Sequence, residues 1–208
     1  MEKLKLRSFG PISKAEINFG DLTLLVGPQA SGKSILLQLL KLLIDKNNIK
    51  RTLEQYSFIW GKDEDKILDF YFGEGMHKIW KDDSEIKLDN KTFKKDFLLP
   101  YKTGRKGKTN KYEETLFYIP AQRILSVADG RPRNFMEFDV STPYVLRQFS
   151  EVLRQLLQNG LDNKESIFPI SNRLKEPLRN SFNDNIFHNG KVIIDEKTGQ
   201  KKLKMEVD

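Results

Sequence analysis

Cysteine is absent from the 208-residue sequence, which excludes disulfides and any thiolate metal site. Only two histidines occur, His77 and His188, too few and too far apart in sequence to suggest a zinc site. No apolar stretch approaches the ~20 residues that span a bilayer. The longest apolar-rich run, Ile35 to Ile44, is broken by Gln38 and Lys41. The opening MEKLKLRSFG lacks the apolar core of a secretory signal. Internal repeats and low-complexity tracts are also missing. A cytoplasmic protein without a membrane span is the expectation, built as one domain or one domain with a small appendage.

Charge, by contrast, is plentiful: 31% of residues are charged and the formal net charge is +7. A positive balance fits either a solubilising surface or contact with nucleic acid. The cations are unevenly spread. Lys102, Arg105, Lys106, Lys108 and Lys111 crowd the stretch 101–111, which holds glycines and threonines and few apolar residues. It reads as a loop, either a solvated insertion or a phosphate-binding element.

Residues 3–9 alternate apolar and charged, the pattern of a half-buried strand. Gly10-Pro11 marks a turn, Ala15–Phe19 alternates again, and Gly20-Asp21 marks a second turn. Leu22–Val26 is nearly continuous apolar sequence, which predicts a strand buried on both faces. From Lys33 the spacing becomes helical, with Gln38 and Lys41 facing out and an end at Asp45–Asn48. Lys66–Phe72, His77–Trp80 and Glu85–Leu88 read as strands of a small antiparallel sheet, with Asp82–Ser84 as a turn. Leu116–Ile119 reads as a short strand stopped by Pro120. Helices are expected over Pro143–Gln158, stopped by Gly160, and around Arg173–Phe182. The tail reads as a hairpin, Lys191–Ile194 and Lys201–Val207, joined by DEKTG.

Between the apolar run and the helix lies GPQASGKS: Gly27, Pro28, Gln29, Ala30, Ser31, Gly32, Lys33 and Ser34, followed by Ile35. This is the G-x-x-x-x-G-K-[ST] phosphate-binding P-loop. The glycines let the backbone turn and bring N–H groups onto phosphate oxygens, and the helix start adds positive potential. The lysine neutralises β- and γ-phosphate charge, and the Ser34 hydroxyl is a ligand for Mg²⁺. A nucleoside triphosphate with Mg²⁺ is therefore the expected ligand.

The opening LKLRSFGPISKAEINFGDLTLLVGPQASGKSILLQLLKLL resembles the start of an ABC-type ATPase head of the SMC, Rad50 and RecF kind. Gln29 and Ala30 stand where those relatives usually have Asn and Gly, and Gly10 where many carry a basic residue. With FYIPAQR, residues 117–123, these departures make it most similar to the AAA-labelled overcoming-lysogenisation-defect-like branch, several of whose members serve in anti-phage defence. The resemblance implies an α/β P-loop NTPase fold, here an ABC-ATPase-like N-terminal lobe with an antiparallel β subdomain and added helices. It implies ATP as the nucleotide and a homodimer of heads that sandwiches it. A Q-loop glutamine would reach Mg²⁺ and the attacking water. Gln122 is the candidate, its alternative being a plain surface residue at a strand end.

On this reading residues 1–48 hold the strands, P-loop and first helix. Residues 49–115 form the antiparallel lobe, 116–190 the Q-loop-like strand and helical region, and 191–208 a hairpin. The resemblance also implies an LSGGQ-like signature followed by an hhhhDE Walker B strand, and no signature occurs. Val192–Glu196 imitates the latter, but DEKTG is turn material and LKMEV returns as a strand. The expectation is an N-terminal lobe that stops before the second half of the head, binding ATP and hydrolysing it weakly or not at all alone. Two other readings stay open: a nucleic-acid-binding module acting through the basic loop, and a P-loop small-molecule kinase with Arg123, Arg131 and Arg133 as lid arginines.

Overall fold

The computed structural model describes residues 1–100, 114–121, 127–128, 131–159, 191–194 and 201–204. They fall into two units, Met1–Tyr118 with Asp139–Val145, and Ile119–Phe138 with Leu146–Asp208.

Alternation builds the first unit. Strand β1 (Lys3–Phe9) turns Leu4, Leu6 and Phe9 into the core and its cations outward. Strand β2 (Ile12–Asn18) returns antiparallel, with Lys3 opposite Asn18 and Phe9 opposite Ile12. The other edge of β1 takes β3 (Trp80–Leu88), and β3 takes β4 (Lys91–Phe93), for the order β2-β1-β3-β4. An antiparallel sheet is thus present, but its third strand is one element instead of two. Residues Met76–Ile79 form a 3₁₀ turn, and Asp82–Ser84 lie inside β3. A register shift between Arg7 and Phe9 absorbs the turn-like residues. Ser8 adopts φ 53° there, and Ser84 Oγ donates to its carbonyl.

Helix α1 (Lys33–Gln55) runs past its expected end. Asp45 leaves helical geometry (φ −108°, ψ 20°) and kinks it, yet Ile49 and Leu53 continue the apolar stripe and are buried. Lys66–Phe72, expected as a strand, lies in helix α2 (Glu64–Phe72). Its buried residues Ile67, Leu68, Tyr71 and Phe72 have helical spacing, which prevailed over the β-prone aromatics. Asp63 caps the start by accepting from the N–H groups of Asp65 and Lys66. Gly73 ends it at φ 107°, where an added Cβ would lie 2.2 Å from the Ser141 carbonyl oxygen. Phe9 contacts Phe72 and, edge-on, Trp80, while Tyr71 stacks on Tyr144.

Two expected strands are missing from this core. Leu22–Val26 forms no strand and pairs with no described strand, and Leu22, Leu24 and Val26 are 79%, 76% and 92% exposed. The run is apolar enough to be buried on both faces, but no described strand flanks it, and only Thr23 and Leu25 are partly covered. Leu116–Ile119 likewise joins no ladder; side chains of α1 hold its start.

In the second unit β5 (Val127–Ala128) pairs with β6 (Arg131–Pro132), and a 3₁₀ turn, Phe135–Glu137, begins in an Asn134–Glu137 capping box. Helix α3 (Tyr144–Asn159) matches expectation. Its Glu151 carboxylate accepts from the Phe135 N–H and from Arg154. The tail pairs as a hairpin, β7 (Lys191–Ile194) antiparallel with β8 (Lys201–Lys204), and the rest of the expected second strand, to Val207, lies outside the described residues. Gly160, the helix around Arg173–Phe182, the DEKTG turn and the 101–111 loop lie outside the described residues. Among the described residues no helix is long and apolar enough to cross a membrane.

Candidate nucleotide site

Gly27 and Pro28 have no regular structure, Gln29 and Ala30 make a turn, Ser31 and Gly32 bend, and α1 starts at Lys33. All nine residues of the motif region are therefore one continuous loop-to-helix entry. Gly32 sits at φ 92° and is buried against the β1–β2 turn. A Cβ there would come within 2.7 Å of Ile12 Cγ1 and 3.1 Å of Pro11 Cγ, so both conformation and space call for glycine. Ala30 also adopts a left-handed conformation, φ 61°. That costs an L-residue about 1–2 kcal/mol, which accounts for the glycine usual at this place in the relatives the sequence resembles.

The Lys33 ammonium folds back over this loop. It donates to the Gly27 carbonyl at 2.7 Å, the Pro28 carbonyl at 2.5 Å and Ser31 Oγ at 3.1 Å. All three partners are neutral oxygens, so a phosphate oxygen would offer the same cation a stronger, charge-assisted bond. The start of α1 is equally open to an anion. Its first-turn bond is Leu36 N–H to the Gly32 carbonyl, it has no side-chain cap, and its first turn contains no carboxylate. The earlier N–H groups have no intrahelical partner, and the helix dipole adds positive potential. Ser34 is exposed beside Lys33, and Ile35 turns partly inward. Among the described residues no cluster of three acidic or histidine side chains could hold a metal by itself. A Mg²⁺ at Ser34 would draw its remaining ligands from phosphate and water, the usual mode of that ion.

Gln122 lies outside the described residues, as does Arg123. The segment leading to them is tied to α1 by an ionic cluster around buried Lys41 and Asp45 that sequence reading missed. Lys41, expected to face solvent, is 1% exposed. It contacts Asp45 at 3.2 Å and donates to Glu114 Oε1 and the Leu116 carbonyl, both at 2.6 Å. Asp45 accepts from the N–H groups of Thr115 and Leu116, each at 2.9 Å. The available signal was a Lys–Asp pair four apart inside an apolar stripe. The pair gives the 114–116 backbone the partners that a ladder would otherwise supply, and the Asp45 kink turns its carboxylate to that task. Burial raises the pKa of the Tyr118 phenol, whose hydroxyl bonds the Gln38 side chain. Of the arginines weighed for a kinase lid, Arg133 lies over the Phe138 ring at 5.7 Å.

A glycine-bearing loop that runs into an uncapped helix start, in a unit with an antiparallel sheet, is the arrangement of a P-loop nucleotide-binding protein. The chain belongs to the AAA ATPase domain family, which it matches over residues 1–204. Membership makes nucleotide binding, with ATP, the family-level function. No curated protein and no solved structure matches the chain.

Proposed function

We propose that this chain is the ATP-binding N-terminal lobe of an ABC-type ATPase head, and that hydrolysis needs a completing lobe with a signature and a Walker B strand. The observation that carries the binding reading is the Lys33 ammonium, held over Gly27 and Pro28 by neutral acceptors at the open start of α1. In this reading Gly27 to Ile35 enclose the phosphates, Lys33 neutralises charge on the β- and γ-phosphates, and Ser34 holds Mg²⁺, joined by Gln122. Positioning and electrostatics are what this lobe supplies; the carboxylate that orients the attacking water belongs elsewhere. The exposed run Leu22–Val26 supports the completing lobe, because three large apolar side chains next to the P-loop in sequence are left exposed among the described residues. Val192–Ile194 supports it too, since an antiparallel hairpin is no place for Walker B acids. Two heads closing on ATP, cytoplasmic and in the service of DNA maintenance or anti-phage defence, complete the proposal.

The test is turnover. The 208-residue chain binds ATP with Mg²⁺ and releases phosphate slowly or not at all, and a polypeptide bearing the signature and hhhhDE strand restores turnover. Robust turnover by the chain alone, abolished by Lys33→Ala, would overturn the division of labour and return Asp195 and Glu196 to candidacy.

A further inference from the structure

The sheet of the first unit ends in an uncovered edge. Strand β2 pairs with β1 on one side and with no described strand on the other. The ladder shows which of its peptide groups face the open side. The Phe19 N–H donates to the Glu2 carbonyl, so by alternation Ile17 and Ala15 also bond to β1. The Lys3 carbonyl turns the other way, accepting from the Asp89 N–H just past β3. The N–H and C=O groups of Lys14, Glu16 and Asn18 therefore point away from β1, along the free edge. Such a row is a template for another strand. The opposite edge, β4, is only three residues long.

We propose that β2 pairs antiparallel with β2 of a second copy of this chain, about a twofold axis at Ala15. Axes at Lys14, Ala15 or Glu16 all keep the edge-facing peptide groups opposed. The first sets lysine against lysine and the last glutamate against glutamate. The Ala15 axis sets each Lys14 against the partner's Glu16, and opposite charges across a ladder attract where like charges repel. Ala15 itself is small and half-buried, which suits the close approach at the axis, about 4.5 Å between Cα atoms of a non-hydrogen-bonded pair. The pairing also answers a charge left over in the single chain. Lys14 is exposed, faces the like charge of Arg7, and closes no ion pair among the described residues. Glu16, by contrast, holds Lys3 and Lys5 on its inner side and is open on the other. Charges on an edge ordinarily turn other strands away, and this order of charges admits its own copy. The pairing uses β2 alone and needs no nucleotide, so it is separate from two heads closing on ATP.

Sedimentation velocity of the whole chain over a concentration series, without nucleotide, tests it. Wild type passes from monomer to dimer as concentration rises, and Lys33→Ala does the same. Lys14→Glu and Glu16→Lys each place like charges across the axis and weaken the dimer about tenfold or more. An equimolar mixture of the two variants makes every pair across the axis opposite again. It dimerises about as tightly as wild type, while neither variant does so alone. That rescue guards against misfolding, as does the melting temperature of Lys14→Glu, which the new charge opposite Arg7 keeps or raises. A wild type that stays monomeric, a dimer that both variants form as tightly, or a weakening that the mixture does not rescue would overturn the proposal. So would a dimer that requires ATP and is lost in Lys33→Ala.

Discussion

Leu22–Val26 and Ile67–Phe72 have much the same apolar content and end in opposite environments. In the first, Leu22, Leu24 and Val26 are at least 76% exposed; in the second, Ile67, Leu68, Tyr71 and Phe72 are at most 3% exposed. The difference lies in their neighbours. Helix α2 packs a broad apolar face into a finished core of β1, β3 and α1 residues, whereas no described strand flanks the Leu22–Val26 backbone. Composition therefore states what a segment can bury, and a partner decides whether it does. Among the described residues of the first unit, a filled core thus coexists with an exposed apolar run that leads into the P-loop.

The sharpest way to break that comparison is to cut both segments. Tyr71→Ala removes a fully buried ring, its stacking on Tyr144 and its bond to the Gln38 carbonyl. It should cost about 3–5 kcal/mol in urea unfolding. Leu24→Ser in the same chain should stay within about 0.5 kcal/mol. A cost of several kcal/mol at Leu24 would mean that the segment is covered after all.

The filled side also contains the charges that anchor Thr115 and Leu116. Lys41→Met leaves Asp45 buried without its cation and is expected to lose about 3 kcal/mol, again by urea unfolding. The double variant Lys41→Met, Asp45→Leu should recover part of that, a non-additivity that marks a coupled pair.

Lys46 supplies a pH signature of the same packing. It is 5% exposed and donates to the Phe97 and Leu99 carbonyls. Burial, reinforced by Lys50 and Lys91, lowers its pKa from 10.5 to about 8. Between those values the unfolded chain holds a proton that the folded chain has released, so stability rises with pH there. Below pH 8 both states are protonated and the gain is absent. Tyr71 and Tyr144, raised by burial, oppose this above about pH 10, where unfolded tyrosines ionise. The stability difference between wild type and Lys46→Met should therefore shift by about 1–3 kcal/mol in favour of wild type from pH 8 to 10. A flat difference would contradict the burial.

The smallest effect belongs to the open side. Ala30→Gly removes the left-handed strain at φ 61° and should raise stability by about 0.5 kcal/mol, after the added freedom of the unfolded glycine is deducted. A loss would show that the loop accommodates alanine without strain.

Much of this was legible in the sequence, and the misses share causes. Strands β1 and β2, the start of α1, α3 and the tail hairpin could be read because local alternation or spacing agrees with what each segment packs against. Helix α2 was misread because Phe70, Tyr71 and Phe72 favour strands, while helical burial of Ile67 and Leu68 settled the matter. The continuation of α1 past Asp45 was hidden because its helical run resumes after a kink made by a tertiary contact, the bonds to Thr115 and Leu116. Lys41 was placed outside because a lone lysine in an apolar stripe ordinarily faces water, and its partner Glu114 is 73 residues away. For the candidate site the motif marks Gly27 to Ile35, which lie in one continuous loop-to-helix entry. What it could not give was the state of Lys33, which depends on carbonyl directions.

The central claim is that Lys33 and the open start of α1 bind the phosphates of a nucleotide. Equilibrium titration of the wild-type chain and Lys33→Ala with a fluorescent ATP analogue, with and without Mg²⁺, tests it most directly. Saturable, Mg²⁺-strengthened binding is expected, weakening at least tenfold, about 1.4 kcal/mol, in Lys33→Ala while the variant's unfolding curve stays unchanged. Equal affinity in the two folded proteins, or no binding by wild type, would contradict it.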